Sequence, residues 1–153
     1  MSTDKLKKAA EEYNKNVQAA IDKVTSKANT QQEKKIDFMT QYEEYKKKEI
    51  IAHLDVIASV LQETGPYLKA GRLSASDKAH QAGIKANEIE KTEVFGIRTR
   101  TNQGNIFIYP IPDKQKVAVG WSAQYRPLQV EEYDLKQVTY QLLESLSIDI
   151  INF

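Results

Sequence analysis

The chain has no cysteine, and from Met1 to Thr64 it has neither glycine nor proline. The first absence excludes disulfides, thiolate catalysis and zinc held by cysteine. The second removes the two residues that most readily interrupt a helix. All six glycines and all four prolines fall between Gly65 and Pro127, so the sequence divides into two zones. Long apolar runs are also missing. The opening MSTDKLKKAAEEYNKN is polar where a leader needs an apolar run, and no stretch approaches the ~20 apolar residues of a membrane span. Cytoplasmic residence is the expectation, with leaderless export as the alternative that leaves the same trace. No charge of one sign dominates: 22 basic against 21 acidic residues give a net charge of +1. Recruitment of nucleic acid or an anionic membrane would therefore need a local patch.

What is present is globular in character, with 41% hydrophobic and 28% charged residues. The first zone is rich in Ala, Glu, Lys and Gln and reads as helix. Leu6, Ala10, Tyr13, Val17, Ala20 and Val24 alternate in steps of four and three, an a/d seam of about three heptads. The seam stops where Lys27 and Gln31 would continue it. Residues 26–30 (Ser-Lys-Ala-Asn-Thr) compete with helix, and Thr30-Gln-Gln-Glu33 matches a capping box, so a helical hairpin with its break near 26–31 is predicted. The rival is one continuous helix of roughly 60 residues, about 90 Å long. Between Gln31 and Glu63 two apolar stripes share the helix: Ile36, Met39, Ile50, Leu54, Ile57 and Leu61 on one side, and Phe38, Tyr42, Tyr45, His53, Val56 and Val60 on the other. Both are interrupted at 43–49. The predicted domains are a helical arm, 1–66, and a small α+β domain, 67–153, with the second helix of the arm able to join the latter.

Gly65-Pro66 ends the helical zone. Residues 67–73 read as a connector, and Ser74 to Asp77 offer N-caps for a short helix to about Lys91, with Gly83 inside it. Residues 94–101, 106–111 and 116–123 are β-rich and predict a three-stranded antiparallel meander. Leu135, Val138, Leu142 and Leu146 recur at helical spacing after Pro127, so a C-terminal helix should pack on the sheet. Ser147 to Phe153 reads as a fourth strand or a docked tail. The fold class is α+β.

The 94–111 hairpin admits two registers. A four-residue loop at 102–105 places Arg100 opposite Phe107 and Arg98 opposite Tyr109, a basic and aromatic platform beside Ala118 and Gly120. The other face then carries Phe95, Ile97, Thr99, Ile106, Ile108, Val119 and Trp121. A three-residue loop with Gly104 in the left-handed position flips the second strand and dissolves the platform. Apart from this surface, chemistry-bearing patterns are sparse. His53 shares a helix face with Glu49 but lacks further ligands, and His80 lies one turn after Asp77. There is no Gly-x-Ser-x-Gly and no phosphate-cradling loop. Glu43-Glu44 and Glu131-Glu132 are adjacent carboxylates that do not face each other on a helix. Lys46-Lys47-Lys48 fan over a wide arc between glutamates. No catalytic residue, metal site or cofactor is expected.

The leading functional expectation is a non-enzymatic protein–protein interaction or assembly module, whose arm (Leu6, Tyr13, Val17, Val24, Phe38, Tyr42, Tyr45) self-associates or binds a heterologous helix. The alternative is a nucleic-acid-binding accessory protein using Arg98, Arg100, Phe107 and Tyr109, with Lys114, Lys116 and Arg126 nearby. A membrane-active toxin component, inserting the Ile50–Leu61 segment, is the third.

Overall fold

The structure is a computed structural model that describes residues 3–153, the side chains of Ser76, Asp77, His80, Ala86 and Asn87 excepted. The surface expectation for His80 therefore lies outside the described residues. Contacts divide the chain after Asp37 into two units.

Helix α1 runs Asp4–Tyr45 without the break expected near 26–31. Thr30 does not cap a new helix: its hydroxyl donates to the Ser26 carbonyl one turn back, 2.9 Å away, so the residue that competes with helix is accommodated inside one. A π-helical turn, Lys46–Ile50, follows, and then α2, Ile51–Thr64. The helical zone is thus continuous from Asp4 to Thr64, and the hairpin reading is replaced by its rival.

The second unit, Phe38–Phe153, is built on a sheet of five antiparallel strands in the order β1-β2-β3-β4-β5, where three were expected. They are β1 (Lys69–Leu73), β2 (Glu93–Arg98), β3 (Gln103–Ile111), β4 (Lys116–Ala123) and β5 (Arg126–Tyr133). The connector reading of 67–73 hid β1, whose Ala70 faces the core opposite Ile97. Pro127 was read as a break but sits in the terminal strand β5, where a missing amide hydrogen is tolerated. Between β1 and β2 the single helix expected to Lys91 is two short ones, α3 (Ala75–Gln81) and α4 (Ala86–Ile89). Gly83, at φ 84°, separates them in a conformation that favours glycine. After β5, Asp134 caps a short 3-10 turn, Leu135–Gln137, through a capping box. Helix α5, Tyr140–Asn152, then starts at Thr139, whose hydroxyl oxygen accepts from the Leu142 amide at 3.3 Å. Ser147 to Asn152 is therefore helix rather than strand or tail.

Each sheet face has its own core. One buries Phe95, Ile97, Ile106, Ile108, Val117, Val119 and Trp121 against Phe38, Tyr42, Ile50, Leu54 and Ile57 and against Val138, Leu143 and Ile150. The opposite face buries Val94 and Phe107 against Ala79 and Ile84, with Ile89, Tyr109 and Leu128 packed around them.

The π turn explains how a helix with two apolar stripes meets one core. An α-helix advances about 100° per residue, so one additional residue in a turn displaces everything after it by roughly that angle. The Ile51 amide donates to the Lys46 carbonyl five residues back. That insertion joins the first half of one stripe, Phe38, Tyr42 and Tyr45, to the second half of the other, Ile50, Leu54, Ile57 and Leu61, on the same sheet face. Of the remaining halves, Ile36, Val56 and Val60 are exposed, while Met39 packs partly buried against the same core.

Candidate functional site

In the first unit the apolar seam is uncovered. Every residue from Thr3 to Lys34 is exposed. Leu6 and Val24 expose 75% and 71% of their surface, and Tyr13 and Val17 are exposed between them. Ile21, which the sequence reading passed over, is exposed too and widens the stripe beside Val17 and Val24. Around the stripe the helix carries ordinary solvated contacts, such as the Gln18 amide donating to Asp22 at 3.0 Å.

The other arm residues have a different fate. Phe38 and Tyr42 are buried in the second unit's core, their rings 6.4 Å apart. Tyr45 packs at its edge and donates its hydroxyl to the Val138 carbonyl at 2.9 Å. These three are occupied by the chain's own fold. Burial raises the Tyr42 phenol far above its ordinary pKa, with Glu43 and Glu93 adding to the effect, and no hydrogen-bond partner reaches its hydroxyl.

The hairpin takes neither expected register. Arg98 pairs with Gln103, and Phe107 pairs with Val94. The turn is the four residues 99–102. The Thr99 amide donates to the Asn102 carbonyl at 2.8 Å, and the Asn102 amide donates to the Thr99 hydroxyl at 3.0 Å. Arg100 therefore lies in the turn, its guanidinium 5.7 Å from the Tyr67 ring centre. Gly104 was read as a turn glycine but lies in β3, where a Cβ would come within 2.6 Å of Ile150 Cγ2. The glycine exists there to let α5 approach the sheet. The displacement from the four-residue-loop register is an even number of residues, so each face kept its membership, and Tyr109 does pair with Ala118. The platform nonetheless fails as an open surface, because α3 and α4 cover Phe107 and Tyr109.

Polar groups elsewhere pair among themselves. Lys46 meets Glu93 at 3.5 Å, Glu93 meets Arg72 at 3.7 Å, and Arg72 meets Asp55 at 3.7 Å, which ties the π turn and α2 to strands β1 and β2. Lys48 pairs with Glu44 one turn away. Lys46 and Lys48 thus act in separate pairings rather than as parts of one basic patch. His53 sits 3.7 Å from Glu49 and edge-on to Tyr140. No group of three or more His, Cys, Asp or Glu side chains among the described residues is placed to hold a metal ion. No helix among them is long and apolar enough to cross a membrane, and the Ile50, Leu54 and Ile57 side chains of the third functional expectation lie in the core.

One cleft stands out, of about 700 Å3, beside the β4–β5 turn on the sheet face that α3 covers in part. Sequence reasoning missed it, since its lining comes from α3, β3, β4 and β5, which only the tertiary fold brings together. No local signal marks it, since the turn residues Gln124 and Tyr125 include none of the usual turn formers. The chain matches no family model, no curated protein and no solved structure.

Proposed function

We propose that the protein is a non-enzymatic assembly module in which the Leu6–Val24 seam of α1 pairs with the same seam of a second copy. The observation that carries this reading is an a/d-spaced apolar stripe on a helix whose residues Thr3 to Lys34 are all exposed. Helices in water owe most of their stability to packing of an apolar face, and this one finds no covering side chain within its unit. Pairing seam to seam would give Leu6, Tyr13, Val17 and Val24 the knobs-into-holes environment that their spacing matches. A second copy is the simplest occupant, because an identical seam presents the same spacing.

Light scattering on the full chain across a concentration series tests the proposal. Self-association that strengthens with concentration is expected, together with its loss in a Leu6→Ser, Val17→Ser, Val24→Ser variant. That variant should keep the cooperative unfolding of the second unit, because none of the three residues contributes to that unit's core. A full chain that stays monomeric at high micromolar concentration would sink the self-association reading.

A further inference from the structure

Helices α2 and α5 pack on the same sheet face, with Leu54 and Ile57 of the first and Leu143 and Ile150 of the second in one core. Between their outer surfaces runs a groove of about 180 Å3, lined by Ile57, Val60 and Leu61 on one side and by Tyr140, Ile148 and Ile151 on the other. Val60 and Ile148 expose 50% and 49% of their surface, and Val56, one turn before Val60, exposes 51%. A contiguous apolar strip shared by two helices marks an interaction surface, as scattered single residues do not. The π turn is the reason the strip exists. In an uninterrupted α-helix Val56 and Val60 would continue the stripe of Phe38 and Tyr42, which is buried, and the additional residue turns them outward. Such turns are rare within helices and frequent at functional sites.

Charge indicates what the groove fits. Helices α2 and α5, 14 and 13 residues long, carry Asp55, Glu63, Glu144 and Asp149 and neither lysine nor arginine, in a chain with 22 of those. Glu63 lies three residues after Val60, and Glu144, itself in the lining, four before Ile148. Each carboxylate therefore shares a helix face with an exposed apolar side chain. Both are exposed, and among the described residues neither forms an ion pair, whereas Asp55 meets Arg72 at 3.7 Å. Beyond the His53–Tyr140 contact, near the start of both helices, Lys48 and Lys136 line a separate hollow with Glu44 and Glu49, and Lys48 pairs with Glu44. Arg100, in the turn that Asn102 ties to Ile150, lies over the Tyr67 ring.

We propose that this groove binds a lysine- or arginine-rich amphipathic helix of another protein, its apolar side chains at i, i+3, i+4 and i+7 seated between α2 and α5 and its cations on Glu63 and Glu144. A second copy's groove would set like charges against each other, and the chain's own arm carries Glu11, Glu12, Asp22 and Glu33 among its lysines. The proposal is independent of the assembly reading, because every residue it uses lies in the second unit and the seam stays free to pair with its copy.

The test is fluorescence anisotropy of the full-length protein with a labelled, amidated peptide of about three heptads, leucine at a and d and lysine and alanine elsewhere. Saturable binding is expected, with amide shifts centred on Val56, Val60 and residues 140–151. The same peptide with glutamate for lysine should bind at least about tenfold more weakly. Val60→Lys with Ile148→Lys should lower affinity at least about tenfold while unfolding as cooperatively as the parent, since both side chains are half exposed. Glu63→Gln with Glu144→Gln should weaken binding several-fold and reduce its salt dependence. Leu6→Ser, Val17→Ser, Val24→Ser, which removes the seam, should leave affinity unchanged, and so separates failure of this proposal from failure of the assembly reading. Absence of saturable binding would overturn the proposal, as would equal affinity for the glutamate peptide, undiminished affinity in either groove variant, or loss of binding in the seam variant. Tighter binding by a peptide of residues 3–34 than by the leucine and lysine peptide would overturn it too, by placing the chain's own arm in the groove.

Discussion

Tyr42 is fully buried, and its hydroxyl has no hydrogen-bond partner. A buried hydroxyl in that state carries a desolvation cost of about 1–3 kcal/mol, so Tyr42→Phe should leave the second unit as stable or more stable in urea titration at pH 7. The phenol also makes a pH prediction. Its folded pKa is raised by burial first and by Glu43 and Glu93 next. A raised pKa means that the folded state favours the protonated phenol. The stability so contributed is fully present below the unfolded value of about 10 and is lost as pH rises beyond it. Tyr42→Phe should therefore flatten the alkaline limb of the stability profile above about pH 10, while leaving the limb below pH 9 parallel to the parent. Gly120 sets the opposite kind of limit. A Cβ there would lie 2.0 Å from the Gln129 carbonyl oxygen, which is backbone of the paired strand β5 and has no side-chain freedom to yield. Gly120→Ala should cost about 1–3 kcal/mol or more in the same titration, through overpacking.

The π turn at Lys46–Ile50 is the element on which the second unit depends most. Deleting Lys47 would restore α-helical phase and rotate α2 by roughly 100° against the end of α1. Phe38 and Tyr42 could then no longer share a sheet face with Ile50, Leu54 and Ile57, and the half-stripe Val56 and Val60 would turn inward in their place. Loss of the cooperative thermal transition, followed by near-UV circular dichroism, is expected. Deleting Lys27 shifts the helix phase by the same angle, but it lies where every neighbouring residue is exposed, so the second unit's melting midpoint should not move. Strand β5 illustrates another element-scale device. It ends the sheet, and a terminal strand invites pairing with a foreign chain. A register shift between Trp121 and Ala123 interrupts its ladder, Pro127 lacks an amide hydrogen, and Glu131 and Glu132 place charge on the edge strand. These are the features by which natural sheets discourage such pairing.

At the scale of the molecule, apolar surface is unevenly satisfied: the second unit covers both faces of its sheet, while the first leaves a spaced apolar seam exposed. Assembly through that seam is the proposal this unevenness supports, and its concentration dependence is the prediction that belongs to this scale. Much of this was legible in one dimension. Helix content follows from propensity and from the absence of Gly and Pro up to Thr64. The membership of the two sheet faces follows from the two-residue period of a strand, which survived an error in register because that error was an even number of residues. Other features depend on contacts that sequence distance conceals. Gly104 looks like a turn glycine until Ile150 is seen above it, and the Thr30 capping box looks like a helix start until its hydroxyl is seen bonded to Ser26. Strand β1 contains a glycine and two cations, so its identity comes from pairing with β2 and from burial of Ala70. By itself, then, the sequence determined the α+β class, the helical first zone, the seam and which side chains share a sheet face, because these rest on local propensity and periodicity. Only the tertiary structure decided which halves of the two helical stripes are buried, where the hairpin turns and where the cleft beside the β4–β5 turn lies. Each of those is set by packing between residues far apart in the chain, and periodicity carries no information about partners.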